Sequence, residues 1–259
     1  MKIALGQTIG TPGDVPANLQ LMGRLADTAA AQGADLLLLP ELFLSGYNIG
    51  DQAQRLAEPG NGPAAAAASA IAAKAKLAII YGYPERGTEA VYNSALMLDK
   101  TGQHIANYRK THLWGDFERR QFRPGANVTL IELAGVRFGI MICYDIDFPE
   151  LARRYALDGA DAIIALSATT APYPVVPRRL IPARAYENRL FVLFSDRAGT
   201  EHGMTYAGES CVAAPDGEIV AACGQGEELV IAEIDFDRYR QFRQDHRFTE
   251  DRRPELYNA

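Results

Sequence analysis

Short apolar runs recur along this chain far more often than helical patterns do, and that ratio restricts the folds open to it. Asp35-Leu-Leu-Leu-Leu-Pro40, Leu77 to Tyr83, Val136 to Ile142, Asp161 to Leu166 and Leu190 to Ser195 are apolar at nearly every position. Such a run reads as a strand covered on both faces. Ile3, Leu5 and Gln7 alternate as a first strand, Val91 to Leu98 and Glu228 to Ile234 add two more, and Thr205 to Ala213 with Glu218 to Cys223 form a hairpin around Pro215-Asp-Gly217. Helical spacing is confined to four places. These are Leu19, Met22, Leu25 and Ala29 before Gly33, Ala64 to Ala75 after Gly62-Pro63, the stretch from Pro149 to Gly159, and Arg179 to Asn188. About ten strands with four or five helices imply one α/β domain, and so few helices would leave a single sheet of that size uncovered. Two stacked mixed sheets with helices outside are expected. No Pro/Ser/Gly linker divides residues 1–259, and the charged tail from Asp235, ending in Arg252-Arg-Pro-Glu255, reads as a solvated extension rather than an arm on a partner.

Charge and cysteine usage narrow the setting. A formal net charge of −6 argues against nonspecific binding of nucleic acid or anionic membrane. The apolar run at Met1 to Thr8 is too short for a secretion signal, and no segment approaches the roughly 18 apolar residues that span a bilayer. Cys143, Cys211 and Cys223 are an odd, loosely spaced set, which suits reduced thiols in the cytoplasm better than a disulfide framework. Neither they nor the four histidines show zinc-ligand spacing, so neither metal nor cofactor is expected.

Three stretches carry chemistry. Val136 to Ile142 ends abruptly in Cys143-Tyr144-Asp145 before Pro149 opens a helix, placing a thiol on a stiff strand-to-helix bend. Free amides at such a bend, that of Tyr144 among them, can lower a thiol pKa and bind a developing oxyanion. Pro40-Glu-Leu-Phe-Leu-Ser-Gly-Tyr47 delivers a carboxylate, Glu41, straight off a buried strand, and Asn107-Tyr-Arg-Lys-Thr-His-Leu-Trp114 is a basic, aromatic loop. Taken singly, each has a bland reading: a buried cysteine, a strand-terminal acid facing water, a solvated turn. Together they supply what a thiol nucleophile needs, a base in Glu41 and a cation, Lys110, for the anion that attack creates. No histidine occupies a comparable strand end.

In order and spacing, Pro40 to Tyr47, Tyr108-Arg-Lys-Thr-His-Leu113 and Ile142-Cys-Tyr-Asp-Ile-Asp-Phe-Pro-Glu150 resemble the three signature segments of the nitrilase superfamily, the carbon–nitrogen hydrolases. The resemblance extends from Lys2 to about Asp235. It implies a four-layer αββα sandwich that assembles as a homodimer or larger homo-oligomer, with Glu41 as general base, Lys110 as oxyanion stabiliser and Cys143 as nucleophile. It also implies a second glutamate eight residues after the lysine, here Glu118, with Asp116 as its competitor. Arg184-Ala-Tyr-Glu-Asn-Arg189 matches a supporting segment.

Cys143-Tyr144-Asp145 resembles the amidase branch rather than the nitrilases proper, which have Cys-Trp-Glu. Gly46-Tyr-Asn-Ile-Gly50 and Tyr81-Gly-Tyr-Pro-Glu-Arg-Gly87 are similar to the 5-aminopentanamidases and R-stereoselective amidases. Tyr47, Tyr144 and Asp145 are therefore expected at the substrate, with the shorter Asp145 giving the pocket edge a different reach. The Pro-rich loop Thr169 to Pro177 departs from that branch and leaves the acyl pocket open. The activity implied is hydrolysis of a small aliphatic primary amide to carboxylate and ammonia through a cysteine thioester. Nitrile or N-carbamoyl hydrolysis by the same residues is the alternative, and a non-catalytic binding module is disfavoured by the intact trio.

Overall fold

The structure, a computed structural model, describes residues 1–257. In its first half, β1 (Lys2–Gln7), α1 (Val15–Ala31), β2 (Leu36–Leu38), α2 (Gln52–Leu56), α3 (Pro63–Ala75), β3 (Ala78–Arg86), β4 (Val91–Leu98), β5 (His104–Arg109) and α4 (Gly115–Gln121) follow one another. In the second half come β6 (Leu130–Leu133), β7 (Val136–Ile142), α5 (Pro149–Leu157), β8 (Ala162–Leu166), α6 (Ile181–Asn188) and β9 (Phe191–Ser195). The short hairpin β10 (Thr200–Glu201) and β11 (Met204–Thr205) precedes β12 (Cys211–Ala213), β13 (Ile219–Ala222), β14 (Glu228–Glu233) and α7 (Phe236–Asp245).

Two six-stranded sheets form, in the orders β14-β1-β2-β3-β4-β5 and β13-β12-β9-β8-β7-β6. In each, three central strands run parallel and antiparallel strands close the edges. Period-two alternation then builds the layers. Ile3, Leu5, Leu36, Leu38 and Ile80 meet Phe138, Ile140, Ile164, Leu166 and Leu193 in a core between the sheets. Their neighbours Ala4, Leu37, Leu39 and Ile79 face outward onto Met22, Ala26 and Ala29 of α1 and Ala65, Ala68 and Ala72 of α3. Ile163, Ala165 and Val192 likewise pack against α5 and α6. The runs are apolar throughout because both of their faces are covered. This is the stacked, helix-flanked arrangement expected.

Some local expectations change. The tail does not run off into solvent from Asp235: Asp235 caps α7 by accepting from the Arg238 amide. Phe236 inserts between the sheets against Phe138 and Phe191, and Arg240 and Arg243 pair with Asp161. Charge density hid one aromatic anchor. Thr205 does not join β12; it pairs with Thr200, because Gly208 and Glu209 at φ +63° and +56° turn the chain between them. Among the described residues, no helix is long and apolar enough to cross a membrane.

One glycine positions the site. Gly82 in β3 donates to the Pro40 carbonyl at 3.1 Å, and its own carbonyl accepts from Leu44 at 3.1 Å. A Cβ there would lie 2.2 Å from the Leu42 amide and 2.7 Å from the Pro40 oxygen, both backbone atoms that cannot swing aside. Gly82→Ala is therefore expected to lower unfolding free energy by about 1–3 kcal/mol in urea titration by pushing the Glu41 segment away. A variant as stable as the parent would show that this approach is not tight.

Candidate active site

Glu41, Lys110 and Cys143 each lie just past the C-terminal end of a strand, β2, β5 and β7 respectively. Sheet stacking brings those ends together. The chain turns sharply at two of them, with Leu42 at φ +47° and Cys143 at φ +45°. Left-handed backbone at a non-glycine residue costs on the order of 1–3 kcal/mol and persists only where neighbours over-determine it. At Cys143 the brace is Asp145. Its carboxylate accepts from the Ile142 amide at 2.9 Å, the Tyr108 hydroxyl at 2.7 Å, the Thr111 hydroxyl at 2.8 Å and the His112 amide at 2.9 Å. Fully buried, Asp145 has both oxygens occupied inside the protein. Its expected place at the substrate does not match this geometry: the turn points the side chain back under the bend.

The charged centre is compact. Lys110 Nζ donates at 2.7 Å to Oε1 of Glu41 and at 2.7 Å to Oε1 of Glu118, and all three side chains are 0% exposed. Asn93 also donates to Glu41 Oε1, at 2.7 Å. Glu118 accepts in addition from the Tyr47 hydroxyl at 2.7 Å and, on Oε2, from the Trp114 amide at 2.9 Å. Both Glu118 oxygens thus have partners, whereas Glu41 Oε2 has no hydrogen-bond partner among the described residues. Asp116, the competitor for the second acid, stands 83% exposed beside Arg119. Helical spacing decides this: position 118 of α4 faces inward and position 116 faces water.

Burial raises the Glu41 carboxyl above its ordinary 4.5, against the pull of Lys110. Burial alone would lower the Lys110 ammonium, but Glu118 and Glu41 together outweigh it and hold the proton more firmly than usual. The Cys143 thiol is pushed up by burial and by Glu41, with Lys110 opposing. The expectation of a thiol acidified by the bend is therefore reversed, first because burial disfavours the thiolate and then because Glu41 and Glu118 oppose Lys110. The resting sulfur is a neutral thiol next to a carboxylate with one free oxygen. That arrangement suits proton removal during attack rather than before it.

Cys143 opens into a cavity of about 190 Å³ whose walls include Tyr47, Trp114, Tyr144, Thr169, Thr170, Tyr173 and Val175, with Asp147 as the one charged side chain among the described residues that line it. Tyr47 and Tyr144, the residues expected at the substrate, both line this cavity. The loop from Ala168 to Val176 supplies much of its wall. Asn93, Ser167, Asp196 and Arg197 went unnoticed in the sequence. The Asp196-Arg197 pair does carry the signal that marked Glu41, charged residues immediately after a fully apolar strand. Among the described residues, no cluster of three or more His, Cys, Asp or Glu is arranged to hold a metal ion.

A carbon–nitrogen hydrolase model matches residues 2–244, and the chain belongs to that family. An amidase from Nesterenkonia sp. superimposes with a TM-score of 0.90 at 31% identity, covering 99% of this chain and 95% of its own. An (R)-stereoselective amidase from Pseudomonas sp. is 36% identical over 254 residues, 98% of this chain and 92% of the relative. An omega-amidase from Saccharomyces cerevisiae is 34% identical over 277 residues, covering 100% of this chain and 95% of the relative. Within the nitrilase superfamily the protein is an enzyme of the amidase group.

The electrostatics give a stability prediction. A carboxyl whose folded pKa is raised contributes stability below its ordinary value and loses it as pH rises through the folded value. Ionised Glu41 is thus a burden at pH 7, and Glu41→Gln, which keeps an oxygen for Lys110 and Asn93, is expected to melt at or above the parent's Tm. Glu118→Gln instead turns an amide donor toward either the Lys110 side or the Trp114 N–H, and is expected to lose about 1–3 kcal/mol. Asp116→Asn should change stability by less than about 0.5 kcal/mol. Thermal melts in which Glu41→Gln falls furthest would contradict this account of the cluster.

Proposed function

We propose that the protein hydrolyses a small aliphatic primary amide to carboxylate and ammonia through a thioester on Cys143. The observation that carries this reading is the unpartnered Oε2 of buried Glu41, whose charge acts on the Cys143 thiol, while Oε1 is tied to Lys110 and Asn93. As Sγ attacks the amide carbon, Oε2 takes the thiol proton and the C=O electrons move onto oxygen. Lys110 has three N–H bonds and spends two on Glu41 and Glu118, so the third is available to that oxyanion, together with the backbone amide of Tyr144. Glu41 then returns its proton to the nitrogen, the C–N bond breaks and ammonia leaves. Water deprotonated by Glu41 attacks the thioester; the acid departs and Sγ recovers a proton. Glu118, with both oxygens engaged by Lys110, Tyr47 and the Trp114 amide, holds Lys110 in place rather than touching the reacting atoms.

Solved relatives point the same way. The Nesterenkonia amidase has been captured with butyramide in a cysteine-to-alanine variant, and with the acetamide moiety of fluoroacetamide covalently added at its active-site cysteine. The cavity of about 190 Å³ supports a small acyl chain. Asp147 in its wall supports a chain that ends in an ammonium group. We also read the protein as a homodimer through α5 and α6, where Leu157 and Tyr186 remain 46% and 47% exposed. A monomer by light scattering at micromolar concentration would count against that.

Matched amide and nitrile pairs given to purified enzyme, with hydroxylamine to trap the acyl group, provide the test. Hydroxamate should form from the amide and little acid from the nitrile. Cys143→Ala should abolish turnover, and Glu41→Gln should slow it at least ~10²-fold. Asp147→Asn should raise KM for an ω-amino amide about tenfold while leaving its uncharged analogue unchanged. Faster nitrile turnover, or activity confined to N-carbamoyl compounds, would replace the amidase reading while leaving Cys143 its role.

A further inference from the structure

Arg197, directly after β9, is 1% exposed and lies outside the reacting cluster. Its Nη1 donates at 3.3 Å to the carbonyl of Glu41 and at 3.3 Å to that of Leu42. Nη2 donates to the carbonyl of Ile9, and the backbone amide donates to Ser167 at 3.2 Å. One planar fork therefore ties the left-handed turn that carries Glu41 to the loop after β1 and to the strand end beside Cys143.

Its counter-charge reaches the other half of the cluster. Glu201, 0% exposed, places Oε2 at 3.8 Å from Arg197 Nε, and the same oxygen accepts from the Tyr47 amide at 3.1 Å and the Tyr206 hydroxyl at 2.5 Å. The neighbouring Gly46 backbone comes so close that a Cβ there would lie 2.3 Å from Glu201 Oε1. Tyr47 in turn donates to Glu118. The pair thus holds the backbone of Glu41 on one side and, through Tyr47, the partner carboxylate Glu118 on the other.

We propose that Arg197, paired with Glu201, is a positioning residue that aims Glu41 Oε2 at the Cys143 thiol and sets the spacing of the two carboxylates around Lys110; this rests on Glu41 being the base. With Oε1 fixed to Lys110 and Asn93, the direction of Oε2 depends on the backbone from which the side chain leaves. That backbone is strained at Leu42, and its two successive carbonyls are held there by accepting from one guanidinium. A lysine brings the charge but not the fork.

Arg197→Lys in the full-length enzyme tests this, with iodoacetamide titration of Cys143 counting the competent sites. The expected result is a loss of about 10- to 100-fold in kcat per titrated thiol with KM within about twofold of the parent. The acid limb of the Cys143 alkylation profile should also move to higher pH, because a displaced Glu41 loses the Lys110 and Asn93 contacts that favour its ionised form. Glu201→Gln, which keeps an acceptor for the Tyr47 amide, should show the same kcat-confined defect at about threefold. A lower Tm with parental kcat per titrated site and a parental pH profile would overturn the proposal, as would unfolding of both variants. The alkylation arm does not need amide turnover, so it still reports on Arg197 if the amidase reading itself fails.

Discussion

The buried ammonium of Lys110 is the interaction on which the site depends. A fully desolvated cation is tolerated only where nearby anions replace the lost water, and here two carboxylates do so at 2.7 Å each. That requirement recruits the rest. Glu118 must be buried to face Lys110, so it needs the Tyr47 hydroxyl and the Trp114 amide for its remaining lone pairs. Glu41 must be buried as well, and that burial raises its proton affinity against the pull of Lys110, with Glu118 adding to the rise. Burial, helped by Glu41, likewise keeps the Cys143 thiol protonated until an electrophile arrives. An acid–base pair matched in this way arises from unbalanced charge in a dry place, not from any one residue.

The fold's contribution is to deliver strand ends. Each sheet centre is a parallel trio whose crossover helices cover the outer face, and the uncovered inner faces stack on each other. Glu41 and Lys110 come from one sheet and Cys143 from the other, so the distance between them is set by side-chain packing in the core between the sheets. Both sharp turns are over-determined. Asp145 accepts from the strand amide just before Cys143, and Arg197 donates to the carbonyls on either side of the Glu41 turn. Strained residues in the left-handed region survive because each is held by a buried charged group that would itself be costly to leave unpaired.

Strand runs, the two-sheet architecture, and Glu41, Lys110, Glu118 and Cys143 as a group were legible in the sequence. Apolar periodicity reports which faces are covered, and a charged or nucleophilic residue at the abrupt end of such a run stands out against it. Which way a side chain leaves a turn was not legible. Asp145 sits two positions from Cys143, yet one serves the backbone and the other opens into the cavity, because the left-handed bend reverses the chain between them. Thiol acidity is not legible for a related reason: the bend's amides are local to Cys143 in sequence, whereas the burial that raises its pKa, and the carboxylates of residues 41 and 118 that add to it, come from the packing of distant elements.

The sequence by itself determined the layers and the chemical types at three strand ends, since both follow from local pattern and residue chemistry. Only the tertiary structure decided that Glu118 rather than Asp116 faces Lys110, and that α7 anchors through Phe236. It also decided that Arg197 and Glu201 lie behind Glu41 and Tyr47. These depend on distances between elements far apart in the chain, fixed by how two sheets and their helices pack, and no local spacing encodes them.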